Sequence, residues 1–394
     1  MEEVGNRSKK PESSCVDIEI FAGAGGMTLG LQNAGFQFSD VFEIDSHTCE
    51  TLKTNHISNG GILHGNVHKE DVSKLSWNEY KNSVRLLAGG APCQPFSLAG
   101  RHLADKDDRN MFPEVLRAVR SLRPQAVMLE NVQGLARPSF RPYLEYILRQ
   151  LKWPSVAPKA GEEWQLHNER IVQHHEASCE GFEYFVNWAL LEAAGYGIAQ
   201  NRRRLFIIAT KAGNKEKFNF PLVSHKKEAL IRTQSNGEYW KKHCISAPNS
   251  GLNLTSTSNL DEFAKIKAWK TVRDAIADLP APATCKTKSD TNHWLIPGAR
   301  IYRGHSGSRL DWPAKTIKAG VHGVPGGENI VLLDDGTHRY FTLRETARLQ
   351  GFPDDFVFCG ARLHITRQIG NAVPVGLAEA VGRVLYKHIE KISY

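Results

Sequence analysis

No run of about 18 consecutive apolar residues occurs anywhere in the 394-residue chain, so no membrane-spanning helix and no membrane partner are expected. Met1 to Ser14 is polar and lacks the apolar centre of a secretory signal; a loose tail is expected there. Cysteine is sparse: Cys15, Cys49, Cys93, Cys179, Cys244, Cys285 and Cys359 are scattered and form no C-x-x-C pair. That spacing argues against a disulfide framework and fits a reducing cytoplasm. His174, His175 and Cys179 are near in sequence but have no second ligand pair to complete a tetrahedron, so no metal is expected. Internal repeats and extended low-complexity tracts are also missing.

What remains is ordinary globular composition, 41% hydrophobic and 23% charged, on a chain long enough for two domains. The net charge of +8 is unevenly placed. Between Lys211 and Ser308 there are 16 Lys and Arg against 8 Asp and Glu, whereas the rest of the chain carries 34 of each sign. The excess suggests a surface for a polyanion, although a solvated basic loop region has the same composition.

The first half alternates apolar runs with helical stretches. Strands are expected at Val16 to Phe21, Phe38 to Glu43, Val84 to Ala88, Ala126 to Glu130 and Leu205 to Ala209. Helices are expected from about Met27, after Ser46, and over Met111 to Leu122, Arg141 to Leu151 and Phe182 to Ala194. This rhythm argues for a doubly wound, mostly parallel α/β sheet. After Thr210 it stops, and a second, smaller irregular domain is expected. A helix signal returns at Phe341, and a last helix runs from about Val375 to Lys391.

Chemistry concentrates at the expected strand ends. Gly89-Gly90-Ala91-Pro92-Cys93-Gln94-Pro95-Phe96-Ser97 puts one cysteine on a tight turn just past a strand, exposed and rigidly held as a nucleophile should be. Phe21-Ala22-Gly23-Ala24-Gly25-Gly26 joins a strand to a helix, where glycines let a ligand approach the backbone. A dinucleotide fingerprint fails because Thr28 stands at its last glycine position; another adenosine-bearing ligand, or a tight structural turn, remains. Glu43 ends the second strand, placed to take ribose hydroxyls or to serve as a helix N-terminal charge. Glu130 leaves an apolar strand, where desolvation would raise its pKa and suit it to hold a proton. Arg202 and Arg204 alternate at a strand entrance, either pointing into one cleft or forming a solvated basic turn.

Taken in order, the glycine turn, Glu43, Pro92-Cys93-Gln94, Glu130-Asn131-Val132, Gln200-x-Arg202-x-Arg204, the basic stretch, Arg344 to Pro353 and Gly370-Asn371-Ala372-Val373-Pro374 resemble the DNA (cytosine-5) methyltransferase family of bacterial restriction–modification systems. The likeness spans roughly Asp17 to Tyr386 outside the variable stretch. It implies a sequence-specific enzyme that moves a methyl group from S-adenosyl-L-methionine to C5 of a flipped-out cytosine through a covalent Cys93–C6 adduct. Glu130 would bind the ring nitrogen and amine of that base, and Arg204, with Arg202, its carbonyl. Phe21, Gly23, Gly25 and Gly26 would wrap the cofactor, Glu43 its ribose and Ile44 its adenine, with Asn371 and Val373 closing the pocket. The adenine amine falls to Asp71, preferred over Asn66 for its distance to Cys93.

Gln94 and Ser97, with Arg300, Arg303, Arg309 and Lys318, are candidate DNA contacts. Residues 15–212 with 362–394 would form the catalytic and cofactor domain, and 213–361 the target-recognition domain. Double-stranded DNA is the implied partner, with a cognate restriction endonuclease acting separately. The implied form is a monomer in the bacterial cytoplasm, associated with the nucleoid. An RNA-modifying branch of the same fold is the alternative, but its Cys-Phe-Thr signature is missing here. An inactive nucleic-acid-binding module is a second, opposed by intact Cys93, Glu130 and Arg204. The segment from Arg137 to Glu180 is long for the family, and its Trp153, Trp164, His174 and His175 have no assigned role.

Overall fold

The computed structural model describes residues 15–81, 83–92, 110–177, 183–212, 216–247, 266–284, 292–301, 303, 306–320 and 329–391. In chain order the first half holds β1 (Val16–Ile20), α1 (Gly26–Asn33), β2 (Phe38–Glu43), α2 (Ser46–Thr54), β3 (Asn66–Lys69), β4 (Val84–Gly89), α3 (Phe112–Leu122), β5 (Ala126–Val132), α4 (Arg141–Lys152), α5 (Trp164–Ala177), β6 (Tyr184–Glu192) and β7 (Arg203–Lys211). These strands form one seven-stranded sheet in the order β3-β2-β1-β4-β5-β7-β6. β7 runs antiparallel to both its neighbours, and the pairs among β1 to β5 are all parallel. Strands buried on both faces read as continuous apolar runs, which is why Val84 to Ala88 and Ala126 to Leu129 were legible. The strand order reverses between β1 and β4, and open α/β sheets bind ligands at such a switch point, beyond the strands' carboxyl ends.

The chain continues through β8 (His225–Lys226), α6 (Lys227–Ser235), α7 (Glu238–Lys242), β9 (Lys267–Ala268), α8 (Val272–Ile276), β10 (Ser308–Arg309), β11 (Ile330–Leu332) and β12 (His338–Tyr340). They make two small sheets, β8-β9 and β10-β11-β12. Arg273 on α8 ties this region together by pairing with both Asp311 and Asp334. Last come α9 (Leu343–Leu349), α10 (Arg362–Asn371) and α11 (Val375–Glu390).

One face of the large sheet buries α1 and α11 in a cluster that includes Leu31, Val381 and Leu385. The other buries α3 and α4 through Val115, Val119, Leu144 and Ile147. On the first face, Asp17 of β1 takes a bidentate Arg85, whose guanidinium lies over the rings of Phe36 and Tyr386. α1 and α11 meet without room for side chains. A Cβ at Gly30 would sit 2.4 Å from the Val375 carbonyl oxygen and 2.7 Å from the Ala378 Cβ.

One expectation changes. The helix expected over Phe182 to Ala194 begins outside the described residues, and its described part is the strand β6, from Tyr184 to Glu192. Tyr184, Phe185, Val186 and Trp188 favour a pleated surface, and nine residues of β6 pair with β7. Phe352, Phe356 and Phe358 belong to the main core, and Asn55 at the end of α2 hydrogen-bonds both the N–H and the carbonyl of Val357. In the described part of the segment after Arg137, side chains without an assigned role have packing partners. Trp164 packs on Tyr143 and Tyr146, the Tyr146 hydroxyl meets His167 at 2.7 Å, and Trp153 contacts His175.

Gly30→Ala is expected to lower the unfolding free energy by about 1–3 kcal/mol, the usual cost of overpacking. Equilibrium urea denaturation measures it; an unchanged midpoint would mean that α1 and α11 do not lie this close.

Candidate active site

The carboxyl ends of β1, β2, β4 and β5 and the amino end of β7 lie along one edge of the sheet. The glycine turn follows β1. Phe21, Gly23 and Gly25 all take positive φ (55°, 55° and 85°), a cost that a non-glycine residue such as Phe21 bears only where its surroundings impose it. Gly26 is needed for close approach: a Cβ there would lie 2.4 Å from the Val373 carbonyl oxygen. Gly23 instead faces open space. Its N–H donates to Glu43 Oε2 (2.8 Å), while Glu43 Oε1 accepts from the N–H groups of Ile44 and Asp45 (2.8 and 2.9 Å). A carboxylate offers about four acceptor positions, so Glu43 can still take a hydroxyl. Ile44 is 61% exposed beside it, an apolar surface open to a flat ring.

Asp71 stands on the same edge, just beyond β3, where the Glu70 N–H donates to the Glu43 carbonyl. Its carboxylate accepts from the Ser73 N–H and hydroxyl, which hold it below the usual carboxylate range. Asn66 is at the opposite end of β3, donating to the Ser39 carbonyl. Val373 is buried against Gly26, and Asn371 is exposed at the end of α10. Open space at Gly23, the remaining lone pair on Glu43 and exposed Ile44 fit an adenosine-bearing ligand such as S-adenosyl-L-methionine.

Glu130 is buried on β5, and Arg204 Nε lies 2.8 Å from its Oε1 across the antiparallel β5–β7 pair. Burial raises the Glu130 pKa above the ordinary value; the charges of Arg204 and Arg202 offset part of the rise. A Cβ built at Gly90 would be 3.4 Å from Glu130 Oε2, so this carboxyl borders the turn after β4. Cys93, Gln94 and Ser97 on that turn lie outside the described residues.

Arg202 does not join the cleft. It is 1% exposed, and its guanidinium donates to the carbonyls of Ile317, Gly370 and Ala372. Arg202 lies just before β7, so strand alternation does not set its direction against that of Arg204. Arg300, Arg303, Arg309 and Lys318 are all solvent-exposed. Sequence reasoning passed over Asn131, whose amide donates to the Ala91 carbonyl (3.4 Å) and steadies the β4 turn. It also quoted Gln200 and Gln350 without a role; both are fully buried and bonded to each other. Their polarity inside otherwise apolar segments was the available signal.

Glu19 on β1 is fully buried, and its pKa rises from 4.5 to about 8, chiefly by desolvation. Between those values the folded protein holds a proton that the unfolded chain has released. Stability from this group should therefore fall as pH rises through that window, by up to about 1.4 kcal/mol per pH unit. Glu19→Gln is expected to flatten the slope in urea titrations run across that range; an unaltered slope would assign it to other groups.

A family model described as C-5 cytosine-specific DNA methylase matches residues 16–153 and 164–387. The chain is 31% identical over 379 residues to the type II methyltransferase M.NgoMIV of Neisseria gonorrhoeae, covering 95% of this chain and 98% of the relative. It is 30% identical over 383 residues to the type II methyltransferase M.Eco47II of Escherichia coli, covering 95% and 80%. Among solved structures, the S. pombe Dnmt2 methyltransferase superposes with a TM-score of 0.57 at 16% identity, covering 97% of this chain and 100% of that one. At that identity the superposition speaks for the fold alone.

Proposed function

The chain belongs to the C-5 cytosine-specific DNA methylase family, and from that premise we propose a sequence-specific DNA cytosine-5 methyltransferase using S-adenosyl-L-methionine, the modification half of a restriction–modification system. It acts as a monomer on double-stranded DNA in the bacterial cytoplasm, near the nucleoid, and a separate endonuclease reads the same site. The observation that carries this reading is the buried Glu130–Arg204 pair beside the turn that leads into Cys93.

Cytosine C5 is a poor nucleophile until C6 is attacked. The Cys93 thiolate forms a bond to C6, which needs its pKa of about 8.5 lowered by its surroundings. Charge then builds on the ring. Glu130, whose pKa burial raises, hydrogen-bonds N3, and Arg204 meets the charge on O2. The pair therefore has to exchange partners, Glu130 turning from Arg204 to the base. Phe21, Gly23, Gly25, Gly26, Glu43, Ile44, Asp71, Asn371 and Val373 hold the cofactor, which when bound supplies the methyl group to C5. A base, with water the candidate, then takes the C5 proton as the C6–sulfur bond breaks and Cys93 leaves as thiolate.

A stacked base cannot reach these groups, so it is extruded at a cost of a few kcal/mol. Exposed cations of the basic region grip the phosphates, and Arg300, Arg303, Arg309 and Lys318 are proposed there.

Bisulfite sequencing of unmethylated genomic DNA treated with the protein and S-adenosyl-L-methionine should show protected cytosines in one short recurring motif. Cys93→Ser should abolish protection and keep duplex binding, and Glu130→Gln should lower kcat about 10²- to 10⁴-fold. Protein that binds the cofactor yet protects no cytosine would overturn the reading.

A further inference from the structure

Behind the cleft lie three buried polar side chains that the chemistry above does not use as reactants. Gln200 precedes β7, Arg202 follows two residues later, and Gln350 ends α9. Gln200 Nε2 donates to the Leu349 carbonyl and to Gln350 Oε1, both at 2.9 Å, and its Oε1 accepts from the Ile317 N–H at 2.9 Å. Gln350 Nε2 donates to the Ile369 carbonyl (2.6 Å) and the Ala372 carbonyl (3.2 Å). Arg202 reaches the Ile317 carbonyl (2.8 Å) from one nitrogen and the Gly370 and Ala372 carbonyls (2.7 and 3.0 Å) from another. Backbone bonds repeat the link, since Ala314 N–H donates to Ala199 O and Asn201 N–H to Ala314 O, each at 2.8 Å.

Three regions distant in sequence thus meet at one buried point. Residues 369–373 line the glycine turn through the Val373 carbonyl. Residues 314–317 lead directly to exposed Lys318 in the region assigned to DNA. The start of β7 carries Arg204. We propose that Gln200, Arg202 and Gln350 form a positioning knot that couples closure of the cofactor pocket to the placement of the DNA-facing segment 314–318 and of Arg204. The identity of the two ligands rests on the methyltransferase reading above.

The physical reason is the stake of a buried polar network. Both glutamines are bonded through nitrogen and oxygen, while Arg202 Nε has no partner among the described residues. Breaking any of these bonds would leave a further buried polar group unpaired, so the members move together. Apolar side chains of the same size would fill the space yet let the segments slide independently. A guanidinium with fixed fork geometry holds 317 and 370–372 at a set separation, which a flexible cation would not. Packing adds to this, because a Cβ at Gly370 would lie 2.2 Å from the Ala319 nitrogen. A cofactor that steadies 369–373 therefore steadies 314–317, and by linkage each ligand favours the other.

Amide hydrogen exchange of the full chain, with and without S-adenosylhomocysteine and without DNA, tests this. The expected result is slowing at Gly23 to Gly26 and at 369–373, together with about tenfold slowing at 314–317, which the ligand does not touch. Gln350→Met and, independently, Gln200→Met should keep the first effect and lose the second. Tyr184→Phe removes another buried hydrogen bond, to the Pro124 carbonyl, and should keep both effects. Wild-type slowing confined to the glycine turn and 369–373 overturns the knot, with or without folded variants. Variants that still transmit slowing to 314–317 overturn it as well. Wild-type protein with no slowing anywhere would instead bring down the cofactor reading, and the proposal with it.

Discussion

The Val373 carbonyl lies so near Gly26 that no side chain could stand between them. This contact joins a turn near the end of the chain to the first one, and much follows from it. α11 is laid along α1, again over a glycine, Gly30. The glycine turn is pressed into its positive-φ path from behind, so that Gly23 faces outward with its N–H fixed on Glu43. The edge of the sheet is therefore assembled from both ends of the chain, with β1 beside the central β4 and residues 369–373 packed against the glycine turn.

Charge on that edge is organised by burial as much as by pairing. Glu130 meets Arg204 at 2.8 Å, yet desolvation still raises its pKa. Burial thus favours the protonated form of this carboxyl, and the neighbouring guanidinium the charged one. Arg202 shows the converse. Burial disfavours its charge, with Glu130 offsetting part of the cost, and three backbone carbonyls solvate it in place of water. Two arginines two positions apart thus differ in setting. Arg204 stands beside Glu130, and Arg202 holds the carbonyls of Ile317, Gly370 and Ala372.

Legibility followed how local each signal was. The parallel strands stood out because both faces are buried, leaving short continuous apolar runs. β6 misled because it lies at the sheet edge with half-exposed residues, and its apolar pattern over a dozen positions also suits a helix. Its nine-residue pairing with β7 is a long-range interaction that decided the matter. Trp153 and Trp164 had no assignable role because their partners, His175 for one and Tyr143 and Tyr146 for the other, come from helices whose packing is tertiary. Residues 343–360 are helix and loop in sequence, but their phenylalanines pack into the main core.

By itself the sequence determined the kind of sheet, the strand ends that carry chemistry and the family to which their residues belong. Those are properties of residue type and spacing along a single segment. Only the tertiary structure decided which end of β3 faces the glycine turn, so that Asp71 and not Asn66 stands on Glu43's edge. It alone separated Arg202 from Arg204, and brought Gln200 and Gln350 together across 150 residues of chain. The reason is that a side chain's direction and its burial are set by the elements packed around it. A motif names the residue, and the fold chooses which way it points and what it meets there.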